Sequence, residues 1–303
     1  MPDPNPPRGI SMFIDIHVHF RRIPGFPRGD KPSYPTPEQL IERYDAVGIE
    51  KGVVLPGVPP ECSLVPQSNE EVLEIAEKTG RFIPFCNIDP RALTNSADAP
   101  FDKILQYYKD KGAKGIGEMT ANLPIRDPLV QNLLRNAEKV GLPVTFHLSP
   151  FLGGYYGLYD DPGLPQLEET LSKYPKLKFF GHSQVFWAEM GPLATVASRR
   201  GYPKEPITVE GAVPRLMRKY GNLYGDLSAG SGCNALARDE VYAVKFLNEF
   251  QDRLFFGTDI CAPDTPTPLV DLLLRFRDDR KISEDVFQKI ARENAIRVLE
   301  LED

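Results

Sequence analysis

Short runs of apolar residues recur along the chain at fairly even intervals. Each run is rich in Val, Ile and Phe and ends at Gly, Pro, Asp or Ser, a pattern typical of buried β-strands rather than helices. The runs predict eight buried strands, at residues 12–20, 51–57, 81–89, 113–119, 142–148, 177–183, 222–228 and 253–260.

Segments with helical periodicity and recognisable ends lie between the predicted strands. Thr36 and Gln39 form a capping box at the start of the first segment, and Gly48 ends it. The segments 68–80 and 127–141 have equivalent first and last residues. Further helices are predicted at 99–111, 162–174, 209–220, 238–250 and 268–279, followed by a final amphipathic helix at 283–301.

Strands that alternate with helices imply an α/β protein with parallel pairing and right-handed crossovers. The number of strands and the length predict a (β/α)8 TIM barrel with an extra C-terminal helix, and an open doubly wound sheet is the alternative. We expect residues 1–11 to be a disordered tail and residues 12–303 to form a single domain. Residues 149–165 and 183–208 are predicted to be enlarged loops on the catalytic face.

Composition narrows the classes of function. The chain has 303 residues, of which 41% are hydrophobic and 26% charged, and its net charge is -6. The modest negative charge argues against nucleic acid or an anionic membrane as the main partner, and favours a small-molecule substrate. The four cysteines are far apart and without CxxC spacing, and we find no signal peptide or membrane-spanning run. These features predict a cytoplasmic protein with reduced thiols.

All four histidines fall at the predicted carboxyl ends of strands. His17 and His19 are two residues apart on the first strand, so their side chains are expected to point to the same side. His147 ends the fifth strand and His182 ends the sixth. Because the carboxyl ends of barrel strands form the catalytic face, we expect the four imidazoles to converge on one site.

Carboxylates occupy comparable positions on other strands. Asp259 ends the eighth strand, Glu118 ends the fourth, and Asp226 lies near the end of the seventh. Each needs a partner, because an unpaired carboxylate in an apolar strand is costly to desolvate. Imidazoles and carboxylates together are the ligands of a catalytic zinc-type site. Asp226 is predicted only to orient a loop or a ligand, and Asp15 to accept a hydrogen bond from a ligand imidazole.

The same residues resemble the amidohydrolase superfamily. The resemblance rests on HVH in the first strand, His147, His182 and the GTD that contains Asp259. More narrowly, the chain is similar to the amidohydrolase 2 branch, which includes aminocarboxymuconate semialdehyde decarboxylase, from about residue 12 to about residue 300. The ending ENAIRVLEL also resembles the close of that branch.

The resemblance implies a divalent metal ion, zinc with manganese or another ion as alternatives, held by His17, His19, His147 and Asp259. Glu118 is assigned as a further ligand, because some superfamily members carry a glutamate or a carboxylated lysine on strand four that bridges two metals. A buried supporting role is the alternative for Glu118. Zinc lowers the pKa of its water to roughly 7. Asp259 would take the water proton, and His182 would stabilise the oxyanion or shuttle a proton.

We expect a metal-dependent hydrolase that cleaves an amide, ester or lactone bond of a small molecule. GIGEM around Glu118 is locally similar to the GEIG of TatD-type nucleases, and such a glutamate is not typical of the branch's decarboxylases. A decarboxylase or hydratase of an aromatic or muconate-like acid is the alternative. It would need a cation for the substrate carboxylate, for which Arg91, Arg21 and Arg22 are candidates.

Two further expectations complete this picture. Trp187 is predicted to bind substrate as part of the pocket wall, or else to lie in an intersubunit contact of a possible homodimer. A non-catalytic metal- or ligand-binding barrel is a second alternative function. It would have a saturated coordination shell and would leave His182 without a purpose.

Overall fold

The computed structural model describes residues 13–27, 30, 33–62, 66–193 and 195–302. The predicted tail at residues 1–11 lies outside this part of the chain, and the single domain at residues 12–303 stays a prediction. None of the described helices combines the length and the apolar character needed to cross a membrane.

All eight apolar runs contain a strand, as predicted. The strands are shorter than the runs, because several runs end in irregular backbone that carries polar side chains. The eight strands are β1 (Phe13–Val18), β2 (Ile49–Val54), β3 (Phe82–Pro84), β4 (Ile116–Met119), β5 (Val144–Ser149), β7 (Phe179–His182), β8 (Leu223–Asp226) and β9 (Leu254–Phe255). A two-residue strand, β6 (Leu158–Tyr159), pairs with the end of β5.

The predicted helices are also confirmed. The side chain of Thr36 accepts from the Gln39 amide and the side chain of Gln39 accepts from the Thr36 amide, which is the predicted capping box. The helices are α1 (Pro37–Val47), α2 (Asn69–Thr79), α3 (Phe101–Asp110), α4 (Pro128–Val140), α5 (Pro165–Lys173), α6 (Gln184–Ala188), α7 (Ala212–Lys219), α8 (Ala229–Ala237), α9 (Glu240–Glu249), α10 (Pro268–Asp278), α11 (Glu284–Gln288) and α12 (Asn294–Leu299).

Three features differ from the prediction. The predicted loop 183–208 contains α6 and a 3-10 helix, Val196–Arg200. The final amphipathic helix is interrupted by a π-helical segment, Lys289–Glu293. The helix α8 was not predicted, because its glycines and serine weaken the helical pattern. Gly232 is nonetheless required there, since a Cβ atom would lie 2.1 Å from the Leu227 carbonyl oxygen.

The strands pair in parallel and in sequence order around the fold. They form two sheets, β1-β2-β3 and β4-β5-β7-β8-β9, with β6 beside β5. Isolated bridges rather than continuous ladders join the sheets, at Cys86 with Ile116 and at Val18 with Ile260. The fold is therefore the predicted (β/α)8 barrel, whose strands do not make one unbroken ladder.

A cluster of apolar side chains joins the barrel strands to α12. It contains Ile14 and Ile16 of β1, Phe180 of β7, and Val298 and Leu299 of α12. Because α12 packs against residues near the starts of strands, it covers the amino-terminal end of the barrel. The opposite, carboxyl end is left for the polar residues that follow the strands.

Candidate active site

The histidines of β1 do not follow simple strand alternation. Between Asp15 and Val18, three steps along β1 face only two steps along β2, from Gly52 to Val54. This extra residue is a β-bulge, a device that re-aims side chains next to active sites. The bulge lets β1 contribute Ile14 and Ile16 to the apolar cluster and still direct His17 and His19 to the carboxyl end.

The two imidazoles face each other through Nε2 atoms that lie 3.1 Å apart. Nδ1 of His19 lies 2.8 Å from the Leu55 carbonyl oxygen, and Nδ1 of His17 lies 2.7 Å from a carboxylate oxygen of Asp226. Both partners only accept, so both Nδ1 atoms carry hydrogen. Two neutral imidazoles would therefore oppose their lone pairs at 3.1 Å. The arrangement requires a positive charge between them, either a proton or a metal cation.

Two carboxylates surround this pair of nitrogens. Oε2 of Glu118 lies 3.7 Å from Nε2 of His17 and 3.5 Å from Nε2 of His19. Oδ1 of Asp259 lies 3.7 Å from both nitrogens. Ligands at zinc bond lengths of about 2.0–2.1 Å are separated by about 3.3 Å in a tetrahedral site. The distances from each carboxylate oxygen to the two imidazole nitrogens are therefore close to those expected around one divalent cation.

Glu118 lies between two groups of histidines. Its second oxygen, Oε1, is 2.6 Å from Nδ1 of His147 and 3.8 Å from Nε2 of His182. The sets His17–His19–Glu118 and Glu118–His147–His182 each bring ligand atoms within 4.8 Å of one another. One carboxylate thus connects all four histidines that the sequence placed at strand ends.

The electrostatics of the cluster favour a cation. Burial alone would lower the pKa of His17, but the carboxylates of Asp226 and Glu118 raise it well above its usual range. Burial alone would raise the pKa of Glu118, but His147 and His17 hold it well below its usual range. Burial, and then the charge of His17, lowers the pKa of His182 to about 4. Ionised carboxylates and a neutral His182 therefore meet at one point.

Asp226 contacts two of the histidines, which agrees with its predicted orienting role. Its side chain is completely buried, and Oδ2 lies 2.7 Å from Nδ1 of His17 and 3.5 Å from Nδ1 of His182. Burial alone would raise its pKa, but His17 and His182 keep it below the usual range. A buried carboxylate in this position fixes the tautomer and orientation of the His17 imidazole.

The predicted role of Asp15 is wrong. Its carboxylate accepts from the hydroxyl of Tyr44, from the amide and hydroxyl of Thr258, and from the backbone amide of His17. None of these four donors is an imidazole nitrogen. The prediction assumed unbroken alternation along β1, and the bulge separates Asp15 from the face of the histidines.

Gly117 allows β4 to bring Glu118 to the cluster. Its φ is +143°, and a Cβ atom there would lie 2.7 Å from the carbonyl oxygen of Thr145 on β5. Only glycine tolerates this conformation and this close approach of two strands. The GIGEM motif is thus explained locally by the backbone that precedes Glu118.

A cavity of about 50 Å³ opens over the cluster, lined by His19, Tyr34, Pro56, Gly57, Cys62, Glu118, Thr120, His147, Tyr156, Asp259 and Cys261. The ring of Tyr156 lies 4.6 Å from the ring of His147, centre to centre. Sequence reasoning missed Tyr34, Cys62 and Thr120, which lie in loops after strands. The useful signal here was the predicted enlarged loop at residues 149–165, which contains Tyr156.

Two residues proposed for substrate binding lie elsewhere. Arg91 forms ion pairs with Glu61 and Asp89, at 2.6 Å in each case. Trp187 is buried, and its indole nitrogen donates to the backbone carbonyl of Asp226 at 2.8 Å. Neither belongs to the described residues that line the cavity. Trp187 thus supports the strand that carries Asp226.

Solved structures share this fold at low sequence identity. A probable 2-pyrone-4,6-dicarboxylic acid hydrolase from Acinetobacter baumannii, with citric acid bound, matches over 96% of this chain and 100% of that chain, with 14% identity and a TM-score of 0.59. An amidohydrolase from Burkholderia multivorans with bound zinc matches over 96% and 100%, with 14% identity and a TM-score of 0.61.

A third similar structure is 2,6-dihydroxybenzoate decarboxylase from Rhizobium, which matches over 96% of this chain and 99% of that chain, with 16% identity and a TM-score of 0.58. A search of curated protein sequences finds no match to the chain. A family model described as amidohydrolase, the amidohydrolase 2 family, matches residues 14–301. With this match across nearly its whole length, and as its strand-end motifs predicted, the chain belongs to the amidohydrolase family.

Proposed function

We propose that this protein is a metal-dependent hydrolase that cleaves an amide, ester or lactone bond of a small molecule. The observation that carries the proposal is the pair of inward-facing Nε2 atoms of His17 and His19, 3.1 Å apart. Their other ring nitrogens are committed as donors, so the pair needs a cation. Glu118 and Asp259 supply two nearby negative charges that balance it.

The donor set suits zinc or a similar ion, since it combines imidazole nitrogens with carboxylate oxygens. His17, His19, Glu118 and Asp259 would hold one cation. Glu118 also faces His147 and His182, so a second cation could share its carboxylate. A bound divalent ion supplies Lewis acidity and makes a coordinated water acidic enough to ionise near neutral pH.

Asp259 is proposed as the proton-transfer group. Its side chain is 24% exposed, whereas the imidazole of His17 is fully buried. Its backbone amide donates to the carbonyl oxygen of His17 at 2.8 Å, which anchors it beside β1. Asp259 can therefore take a proton from an attacking water and deliver it to the leaving group on the open side of the cavity.

His182 is proposed to polarise the carbonyl under attack. Its Nδ1 lies 2.9 Å from the hydroxyl oxygen of Ser228. If that hydroxyl donates to Nδ1, the neutral ring carries its hydrogen on Nε2, the atom that faces Glu118 and Asp259. An N–H at this position would stabilise the negative charge that develops on the carbonyl oxygen.

The cavity wall favours hydrolysis over decarboxylation. Among the described residues that line it, none is Lys or Arg, whereas a decarboxylase needs a cation for the substrate carboxylate. Tyr34, Tyr156 and Pro56 instead offer apolar contact surface, which suits the uncharged body of an amide, ester or lactone substrate.

Decarboxylation of an aromatic or muconate-like acid is the second candidate function, and one observation favours it. The guanidinium carbon of Arg21 lies 4.1 Å from the centre of the Tyr34 ring. Arg21 is buried, and its positive charge lies against Tyr34, which lines the cavity.

Metal analysis and product detection test the proposal together. The metal-loaded protein is offered a panel of amides, esters and lactones, and separately a panel of aromatic and muconate-like acids with detection of CO₂. We expect cleavage in the first panel, and its loss together with the metal in His17→Ala. Glu118→Gln should lower the metal content, because both of its oxygens face histidines. Asp110→Asn, at an exposed position on α3, is the control.

Three results would contradict the proposal. Release of CO₂ without cleavage of any acyl compound would make the protein a decarboxylase. Full metal content in His17→Ala would place the cation elsewhere. Unchanged metal content in Glu118→Gln would leave Glu118 as a supporting group only.

A further inference from the structure

A second cavity lies at the amino-terminal end of the barrel, opposite the histidine cluster. Its volume is about 230 Å³, and its walls come from the residues that precede β4, β5 and β7 and from the end of α12. Four lysines line it: Lys109, Lys114, Lys176 and Lys178. Glu300 is the only carboxylate among the described residues of the wall.

Three of the ammonium groups are held in place by backbone carbonyls. Nζ of Lys109 lies 2.6 Å from the carbonyl oxygen of the last residue of α4. Nζ of Lys114 and of Lys178 lie 3.0 and 3.3 Å from carbonyl oxygens at the end of α12. Each such bond uses one of three N–H donors and leaves the charge intact. The ammonium groups are thus positioned and still able to donate.

These four lysines form no ion pair with a described residue. Five lysines elsewhere on the described surface are paired with carboxylates, at Lys78, Lys139, Lys219, Lys281 and Lys289, and others such as Lys51 and Lys245 form no ion pair with a described residue. The whole chain has a net charge of -6, so acidic residues are plentiful. What distinguishes these four lysines is that they line one cavity, where charges that no carboxylate pairs with would attract an anion.

The net charge of the cavity is positive even when the partial negative charges of the nearby helix ends are included. The lysines contribute four positive charges and Glu300 one negative charge. The carboxyl ends of α3, α4 and α12 lie close by, and each contributes roughly half a negative charge. The cavity therefore keeps about one to two positive charges, enough to attract a multivalent anion.

A neighbouring cavity of about 480 Å³ shares Lys176 and Lys178 with the first, and its wall also contains Lys219, whose ammonium group pairs with Glu168. Lysine ammonium groups bind phosphate oxygens as point charges, whereas arginine binds both carboxylates and phosphates through planar, bidentate pairs. No arginine is among the described residues that line either cavity. We propose that this lysine-lined site binds a small molecule that carries two phosphate groups, one in each cavity, with Lys176 and Lys178 between them.

Isothermal titration calorimetry of the metal-loaded full chain at constant ionic strength tests this site. The probes are fructose 1,6-bisphosphate, inorganic phosphate and tricarballylate. The bisphosphate should bind more tightly than inorganic phosphate, and tricarballylate should bind weakly. Lys176→Glu should weaken bisphosphate binding at least about tenfold, which corresponds to about 1.4 kcal/mol. Lys245→Glu, at an exposed position on α9, makes the same change of charge outside the two cavities. It should change the affinity for the bisphosphate by no more than about twofold.

The ammonium group of Lys176 forms no ion pair within the described chain, so its replacement should not disturb folding. Lys176→Gln checks this, because it should weaken binding less than Lys176→Glu while keeping the same melting temperature as the natural chain. Absence of measurable bisphosphate binding would overturn the proposal. Equal loss in Lys176→Glu and Lys245→Glu, or binding restricted to long polyanions such as RNA, would also overturn it. All of these readouts are independent of catalysis.

Discussion

Oδ2 of Asp226 lies 2.7 Å from Nδ1 of His17, and both side chains are completely shielded from solvent. The carboxylate therefore holds the imidazole from behind while Nε2 faces the cluster. Because Asp226 also lies 3.5 Å from Nδ1 of His182, it connects a proposed metal ligand to a proposed catalytic group. Its effect on function should be transmitted through those two rings.

Asp226→Asn should weaken metal binding by about 10- to 100-fold, as is usual when the partner of a ligand histidine is altered. The amide keeps the shape of the side chain but removes the charge that stabilises the Nδ1–H of His17. Competition with a chromophoric chelator measures the affinity, and Asp110→Asn is the matched control. Equal affinities in the natural chain and Asp226→Asn would show that the contact is only structural.

Gly117→Ala should destabilise the protein by more than about 2 kcal/mol, because the new Cβ would meet backbone of β5 at a positive φ. Gly112→Ala is the control, since Gly112 has a φ of +100° but no atom lies within 4 Å of the position that its Cβ would take. Gly112→Ala should lower the free energy of unfolding by only about 1 kcal/mol. Urea unfolding measures the stability of both variants. Similar losses of unfolding free energy in the two would contradict the close approach of β4 and β5.

The stability of the metal-free protein should depend on pH through Asp160, whose side chain accepts hydrogen bonds from amides at the start of α5. Burial raises the pKa of its carboxyl from 3.8 to about 6, in spite of hydrogen bonds from the amides of Leu167 and Gln166. The folded state therefore prefers the protonated form. This contribution is complete below about pH 4 and is lost as the pH rises to about 6.

Between pH 4 and pH 7 the natural chain should lose about 3 kcal/mol of unfolding free energy relative to Asp160→Asn, from the shift of about two pKa units. Urea unfolding at several pH values measures the difference. Asp161→Asn is the control with the opposite sign, because hydrogen bonds from Tyr159 and Gln166 lower the pKa of Asp161. A constant difference between the natural chain and Asp160→Asn would refute the assignment.

Tyr156→Ala should raise KM about tenfold, because it removes an aromatic wall worth about 1.5 kcal/mol beside His147. Metal content should stay the same, since Tyr156 is not part of the donor set. Tyr155→Ala is the matched control, as the Tyr155 ring packs on Phe151 instead, 5.7 Å away. If kcat falls while KM is constant, Tyr156 takes part in the chemistry rather than in binding.

Much of the fold could be predicted because the strands are short apolar runs and the helices carry their own caps. The Thr36 capping box and the terminal Gly48 are local signals, and the structure reproduces both. The convergence of His17 with Glu118 was also predictable, because the carboxyl ends of barrel strands meet at one face.

The rest of the candidate site could not be predicted, because it depends on contacts between distant residues that no local sequence pattern encodes. A one-residue bulge in β1 separates Asp15 from the imidazole of His17, and a bulge leaves no reliable trace in the alternation of apolar and polar residues. Arg91 was assigned to substrate because of its position after a strand. Its partner Glu61 lies in another loop, 30 residues away.

Residues of the first strand form hydrogen bonds with residues that follow β9, close to the other end of the chain. The amide of Asp259 donates to the carbonyl of His17, and Asp15 bonds to Thr258 across 243 residues of chain. During synthesis on the ribosome, the histidine pair emerges long before the aspartate that completes its surroundings. The proposed cation site is therefore complete only in the finished polypeptide, and a chain cut short before β9 would keep both imidazoles without Asp259.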